Sequence, residues 1–99
     1  MRNSFVVCYD IADPKRWRSI YKLFMGVGDP VQYSVFRCEL SKSEKIILEG
    51  KIIPVINQKE DRIMFINLGP SGSVQSVDDR MEWFGKPLSE MPERKAYII

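Results

Sequence analysis

Residues 4–9, SFVVCY, form a short run of β-branched and aromatic residues that is apolar on both of its faces. Such a run predicts a β-strand. In that strand the odd-numbered residues from Phe5 to Tyr9 point to one side of the sheet, and Val6 and Cys8 point to the other. Both sides must therefore be covered. In a chain of 99 residues, one layer of helices covers one side, and we expect a second copy of the chain to cover the other.

A first helix is predicted from about Pro14 to Met25. Asp13 is a suitable N-cap, Pro14 suits the first helical position, and Gly26 and Gly28 end the helix. Its predicted core face follows helical spacing and consists of Trp17, Ile20, Tyr21 and Phe24.

A second helix is predicted over roughly Lys42 to Ile53. It follows a capping box, in which Ser41 and Glu44 satisfy each other's backbone N–H groups. Pro54 ends or kinks this helix. Its predicted buried stripe consists of Ile46, Ile47 and Ile53.

Two further segments read as strands. Residues 31–40, VQYSVFRCEL, alternate with a period of two and are long enough for two short strands with a tight bend near Tyr33 and Ser34. Residues 62–68, RIMFINL, predict a last strand that is apolar on both faces. The order strand, helix, two strands, helix, strand predicts an α+β domain with the ferredoxin-like βαββαβ arrangement and an antiparallel sheet.

The whole chain, residues 1–99, is expected to be one domain with its core at about residues 3–68. Residues 69–79 are rich in Gly, Pro and Ser and predict a loop. Short strands are predicted at about 80–84 and at 95–99. The chain ends on the apolar sequence KAYII, so we expect this end to pair with the sheet of a second protomer.

Composition removes several kinds of chemistry. The chain has no histidine, which excludes Ser-His and Cys-His nucleophiles and His-ligated zinc. It has no Gly-rich phosphate loop. Cys8 and Cys38 are expected to be buried thiols without a disulfide. The first residues, MRNSFVV, lack the features of a signal peptide and no run approaches transmembrane length, so a cytoplasmic location is expected.

Four segments together resemble the small CRISPR-associated Cas2 family. VVCYDIADPKRWR at 6–18 is similar to a signature in which a strand ends in Tyr-Asp-Ile before an Arg-bearing helix, and VQYSVFRCEL at 31–40 is similar to the second signature. EDRIMFINL at 60–68 resembles the family's fourth strand, and RMEWFGKPL at 80–88 resembles its ending.

The resemblance implies a ferredoxin-like homodimer whose sheets face each other and whose C-terminal strands extend the partner's sheet. It implies that the dimer works with the integrase Cas1 in inserting new spacers into a CRISPR array. It also implies metal-dependent cleavage of RNA or DNA.

Asp10 follows the first strand directly and is the main candidate for catalysis. A carboxylate at this position can hold Mg²⁺, with Mn²⁺ as an alternative, and the ion can activate water against a phosphodiester. Two copies of Asp10 can meet across the axis of a dimer. The alternative is that Asp10 accepts hydrogen bonds from the turn before the helix. For Asp13, N-capping is the better explanation, with a metal role second.

Residues 14–28 hold four cations and no acidic side chain before Asp29. Arg16 and Arg18 match the family's Arg-x-Arg and are candidates for phosphate contact. Ion pairs with Asp10 and Asp13 are the alternative explanation, and phosphate contact is favoured over it for Arg18. Lys15 and Lys22 add to the positive field and are further candidate nucleic-acid contacts.

The remaining candidates come from the signatures. Tyr9 could reach the site, although a core position explains it as well. Ser34 is expected to orient the site through a hydrogen bond. Phe36, together with Tyr97 and Ile98, is expected at the dimer interface.

Three functions remain open at this stage. The first is a metal-dependent endonuclease. The second is a scaffold without catalysis that bridges integrase subunits and binds duplex DNA. The third is a small-ligand-binding regulatory domain, because ferredoxin-like folds host many functions.

Overall fold

The computed structural model describes residues 1–72, 80–82 and 84–85 of the chain. Its elements are, in order, β1 (Arg2–Asp10), α1 (Pro14–Met25), β2 (Gly28–Gln32), β3 (Val35–Ser41), α2 (Lys42–Ile52) and β4 (Arg62–Pro70). The strands form one sheet in the order β2-β3-β1-β4, and each neighbouring pair is antiparallel. The two helices pack on the same side of this sheet. The predicted ferredoxin-like α+β fold is confirmed.

Helix α1 begins and ends where the local sequence predicts. The Asp13 carboxylate accepts a hydrogen bond of 3.0 Å from the backbone N–H of Arg16, Pro14 occupies the first turn, and Gly26 is the C-cap. Ile20, Tyr21 and Phe24 are buried, and Trp17 packs partly buried at the edge of the core.

Helix α2 begins with the predicted capping box between Ser41 and Glu44. Its buried stripe differs from the prediction: Leu48 and Ile52 face the core, whereas the predicted Ile46, Ile47 and Ile53 are each about 60% exposed. Apolar residues lie on several sides of this helix, so their spacing alone did not identify the face that meets the sheet.

The core lies between the helices and one face of the sheet. Phe36 is fully buried there, with its ring centroid 5.5 Å from that of Phe24, 5.2 Å from that of Tyr21 and 6.3 Å from that of Tyr9. The expectation that Phe36 lies at a dimer interface is therefore wrong. Strand alternation turns it toward the helices, while its neighbour Val35 belongs to the other face.

The other face of the sheet carries no helix among the described residues. Val6 and Cys8 of β1 are half-buried there and lie opposite Ile66 and Met64 of β4. Met64 is 53% exposed and Ile66 is 40% exposed. A sheet face with this much apolar surface is typical of an interaction surface. We call it the helix-free face.

Several predictions concern the C-terminal part of the chain. The loop predicted to start at residue 69 begins two residues later, because β4 extends to Pro70. Residues 71–72 form a turn after β4, and residues 80–82 and 84 are not in a strand within the protomer. The strand predicted at 80–84 was expected to pair with a second protomer and stays a prediction. The remainder of the predicted loop at 69–79, the strand at 95–99 and both interface candidates there, Tyr97 and Ile98, fall outside the described residues.

Candidate functional site

Asp10 is the last residue of β1 and its side chain is exposed to solvent. In the part of the chain that the structure describes, its carboxylate makes no hydrogen bond and no ion pair. Hydrogen bonding in the turn before α1 was the alternative explanation for Asp10, and other carboxylates perform that task. Among the described residues Asp10 is thus an unpaired carboxylate at the end of β1, at the edge of the helix-free face.

The turn between β1 and α1 is held by Asp61, which precedes β4. Its carboxylate accepts hydrogen bonds from the backbone N–H groups of Ala12 at 2.9 Å and Asn57 at 2.8 Å. It also accepts from the Arg16 guanidinium, with an Nε–Oδ2 distance of 2.7 Å, and its side chain is fully buried. Glu60 binds the same guanidinium at 2.9 Å. The sequence gives no local signal for this network, because Asp61 and Arg16 are 45 positions apart.

Two carboxylates in ion pairs have strongly lowered pKa values. The Arg16 guanidinium, followed by the N–H groups of Asn57 and Ala12, holds the pKa of Asp61 well below its ordinary range. In the same way, the Arg2 guanidinium and then the backbone N–H of Ser41 lower the pKa of Glu44 from 4.5 to about 2. Both carboxylates remain ionised in the folded state at pH values where an unfolded chain would bind protons.

These lowered pKa values predict loss of stability in acid. A carboxylate whose pKa is lower in the folded state stabilises the fold fully above its unfolded pKa, and this contribution is lost as pH falls through the folded pKa. We expect the urea midpoint to fall between about pH 4.5 and pH 2, the window given by the two pKa values of Glu44. Glu44→Gln is expected to lower the midpoint at pH 7 and to make the acid dependence shallower. Equal acid dependence of the variant and the wild type would contradict this assignment.

The cations of α1 divide into two groups. Arg16 was a candidate for phosphate contact, but its guanidinium is bound by Asp61 and Glu60 and is not available without breaking that network. The alternative explanation of Arg16, an ion pair with Asp10 or Asp13, is not what the structure shows, because its ion pairs are with Glu60 and Asp61. Lys15, Arg18 and Lys22 are exposed and have no ion pair among the described residues. These three side chains follow helical spacing of three and four, and we call them the α1 cation row.

The two remaining signature residues hold the turn between β2 and β3. Tyr9 is 6% exposed, and its hydroxyl donates a hydrogen bond of 3.0 Å to the carbonyl of Tyr33. Burial raises its pKa far above the ordinary value. The Ser34 hydroxyl accepts a hydrogen bond of 3.1 Å from Trp17 Nε1. This placement favours a core role for Tyr9 over direct participation in catalysis, and Ser34 orients α1 against the turn.

The residues offer limited support for a resident metal. Among the described residues there is no group of three or more Cys, Asp or Glu side chains that could enclose an ion. Mg²⁺, however, usually retains several waters and is often held by one or two carboxylates. Asp10 supplies one such ligand per protomer, so the residues fit a Mg²⁺ site only when two protomers share it. Cys8 and Cys38 form no disulfide.

Comparisons with known proteins agree with the fold and the motifs. The family model described as CRISPR associated protein Cas2 matches residues 3–75. A protein of Rhodospirillum rubrum named CRISPR-associated endoribonuclease Cas2 1 is 39% identical over 98% of this chain and 91% of its own length. A Geobacter sulfurreducens protein named CRISPR-associated endoribonuclease Cas2 is 36% identical over the full length of both chains.

The crystal structure of Streptococcus pyogenes Cas2 superposes with a TM-score of 0.71 at 31% identity, covering 83% of this chain and 99% of that one. No helix among residues 1–72, 80–82 and 84–85 is long and apolar enough to cross a membrane. The match of the family model over most of the chain, with two relatives above 35% identity, is conclusive: the chain belongs to the CRISPR-associated Cas2 family.

Proposed function

We propose that this chain is a metal-dependent endonuclease that works as a homodimer in a CRISPR system. The observation that carries the proposal is the exposed Asp10 carboxylate, which ends a rigid strand and has no partner among the described residues. Asp61, whose carboxylate stabilises the fold, is by contrast buried and accepts hydrogen bonds from Ala12, Asn57 and Arg16. The names of the Rhodospirillum rubrum and Geobacter sulfurreducens relatives support RNA as the first substrate to test.

The helix-free face supports the homodimer. Met64 and Ile66 leave apolar surface that a second copy would cover, and Asp10 lies at the end of β1 on this sheet. In a two-fold dimer the same patch contributes from both protomers, so a residue near the axis meets its own copy. Two Asp10 carboxylates brought together in this way would provide the two ligands that one protomer lacks.

The roles of the residues follow from their placement. The two Asp10 carboxylates would hold Mg²⁺ or Mn²⁺. When bound, such an ion polarises a phosphodiester and lowers the pKa of a water. Asp61 and Arg16 fix the turn that follows Asp10, and Tyr9 fixes the neighbouring turn. The site is therefore rigid before substrate arrives, as efficient positioning requires.

A second function is supported by the α1 cation row. Lys15, Arg18 and Lys22 form a basic edge without an ion pair to any described residue, and such an edge suits backbone contacts to duplex DNA. We propose that the dimer also serves spacer acquisition by bridging subunits of the CRISPR integrase, with DNA held along this edge. This role needs no catalysis by Asp10, so the two functions are separable by experiment.

The test is cleavage of labelled single-stranded RNA and duplex DNA by purified protein in the presence of Mg²⁺ or Mn²⁺. A parallel reaction with EDTA measures cleavage without metal. Asp10→Asn is expected to lower cleavage at least about a hundredfold, because changes even in residues behind a metal ligand cost 10–100-fold. Asp13→Asn is the matched control: it removes a nearby charge, and asparagine caps a helix as well as aspartate.

Each outcome decides between the functions. Cleavage that is lost in Asp10→Asn and retained in Asp13→Asn supports the endonuclease. Cleavage that survives Asp10→Asn removes Asp10 from the mechanism. Absence of cleavage by the wild type, with salt-sensitive binding of duplex DNA, leaves the scaffold as the function of this protein.

A further inference from the structure

Helix α2 turns one side to the core and leaves apolar residues on the opposite side. Leu48 and Ile52 are buried against the core. Gly50 lies two positions from each of them, about 200° round a helix of 3.6 residues per turn, so it is at the centre of the outer side. Three isoleucines surround it at spacings of three and four residues, each 58–61% exposed: Ile46, Ile47 and Ile53. We call these three residues and Gly50 the α2 outer face. A contiguous apolar patch of this kind is typical of an interaction surface.

The fold of the protomer does not require glycine at position 50. Glycine in the interior of a helix lowers stability relative to alanine, because it has more freedom in the unfolded chain. Among the described residues, no atom outside its own stretch of helix lies within 4 Å of the position that a Cβ on Gly50 would take. A side chain would therefore fit within the protomer. Glycine between exposed isoleucines forms a shallow groove instead, and such a groove allows the ridge of a second helix to approach closely.

The unpaired charges beside the α2 outer face are positive. Glu44 and Glu49, the two acidic residues of α2, are held in ion pairs of 2.9 and 3.2 Å with basic side chains. Lys42 and Lys51, one near each end of the helix, are exposed and have no ion pair among the described residues. A complementary partner is therefore apolar in its centre and acidic at its sides. A second copy of this face is not complementary, because a two-fold contact would bring lysines against lysines.

The position of α2 in the fold gives one such face to each side of the proposed dimer. Both helices pack on the same side of the sheet, and the helix-free face is its other side. A two-fold dimer formed through the helix-free face therefore keeps both copies of the α2 outer face on its outside. Two partner subunits can then bind on opposite sides of one dimer, which is the arrangement that a bridging scaffold needs.

We propose that the α2 outer face docks a subunit of the CRISPR integrase. The subunit packs an amphipathic helix, with an apolar stripe and acidic flanks, into the groove at Gly50. Ile46 and Ile53, two turns apart, line one side of this groove, and Ile47 lines the other. This inference rests on the proposed scaffold function and names the surface by which the scaffold holds its partner. It does not depend on catalysis by Asp10.

The experiment is equilibrium binding of the purified integrase of the same CRISPR system to the fluorescein-labelled full chain, measured by fluorescence anisotropy without DNA. Ile46→Asp is expected to raise the Kd at least about a hundredfold, because the interface would bury an unpaired carboxylate beside an acidic partner. Ser19→Asp is the matched control, since it adds the same charge at an exposed position of α1. Its Kd is expected to equal that of the wild type.

Gly50→Leu separates docking from folding. Leucine favours a helix more than glycine does, and the protomer has room for its Cβ, so the urea midpoint is expected to equal or exceed that of the wild type. The same side chain fills the groove, and the Kd for the integrase is expected to rise about 5- to 150-fold, as overpacking of a close-packed contact predicts. Binding that is lost in a variant at least as stable as the wild type is not a consequence of unfolding.

The two lysines are tested together by the dependence of binding on salt. The double variant Lys42→Gln, Lys51→Gln is expected to bind the integrase more slowly at low salt and to show a weaker salt dependence than the wild type. Lys59→Gln is the matched control, because Lys59 is exposed in the segment after α2 and lies outside the α2 outer face. Equal salt dependence of the double variant and the wild type would contradict an acidic flank on the partner.

The outcomes separate this inference from the proposed function. If the wild type does not bind the integrase, the scaffold function fails and the docking site fails with it. If the wild type binds and both Ile46→Asp and Gly50→Leu bind equally well, the scaffold stands and the α2 outer face alone is excluded. An equal loss in Ile46→Asp and Ser19→Asp would also overturn the docking site. Assemblies larger than a dimer that form without integrase and disappear in Ile46→Asp would assign the face to a second copy of this chain instead.

Discussion

Replacing Phe36 by alanine is expected to lower the free energy of unfolding by about 3 to 5 kcal/mol, the usual cost of removing a buried phenylalanine ring. Phe36 is fully buried, and its ring contacts those of Tyr9, Tyr21 and Phe24. The cavity would lie between α1 and the centre of the sheet, where backbone hydrogen bonds on both sides limit relaxation. For a domain of this size the loss is a large part of the total stability.

The measurement is urea denaturation followed by circular dichroism at one protein concentration, since any dimer links stability to concentration. Ile47→Ala is the matched control: Ile47 is 61% exposed on α2, and its truncation is expected to change stability by less than about 0.5 kcal/mol. Phe36→Leu keeps most of the buried volume and is used to measure dimerisation. If Phe36→Leu weakened the dimer and Phe36→Ala lost little stability, Phe36 would be an interface residue and not a core residue.

The elements that the sequence predicted correctly are those defined by local signals. Helix α1 has an N-cap at Asp13, proline at its first position and glycine at its end, and its bounds agree with the prediction to the residue. The bend at Tyr33 and Ser34 was predicted from alternation on either side of it, and it separates β2 from β3. Such signals act within a few residues and need no knowledge of the rest of the chain.

The errors concern contacts that are distant in the sequence. The buried face of α2 was predicted at Ile46, whereas Leu48 and Ile52 face the sheet. Alternation grouped Phe36 with Cys38 and Leu40 correctly, but it does not state which face the helices cover. The neighbouring strand β1 is apolar on both faces and leaves that choice to tertiary packing.

The residues of the candidate site were likewise predicted only where the signal is local. Asp10 was found because it follows a strand directly, and the structure places it there without a partner among the described residues. Asp61 was missed because its partners, Ala12 and Arg16, lie more than forty positions away. Arg62 was not selected, because only the register of β1 with β4 places it opposite Asp10.

Replacing Met64 by aspartate is expected to convert the proposed dimer into a monomer. Met64 is 53% exposed on the helix-free face of the protomer and lies opposite Cys8 in the sheet, so the substitution costs little within the fold. In a dimer formed through this face, each interface would bury two unpaired carboxylates. An unpaired charge costs several kcal/mol when buried, so we expect the dimer Kd to rise at least about a hundredfold. Ile66→Asp, on the same strand and face, is expected to act in the same way.

The measurement is sedimentation velocity over a range of protein concentrations, with circular dichroism to confirm that each variant is folded. Ile46→Asp is the matched control: Ile46 is 58% exposed on the outer side of α2, and the same chemical change there is expected to leave the dimer intact. Because the proposed metal site takes Asp10 from both protomers, Met64→Asp is also expected to lose cleavage while Ile46→Asp retains it. A folded Met64→Asp that remains dimeric would exclude the helix-free face as the interface. A monomeric Met64→Asp that still cleaves would show that one Asp10 is sufficient.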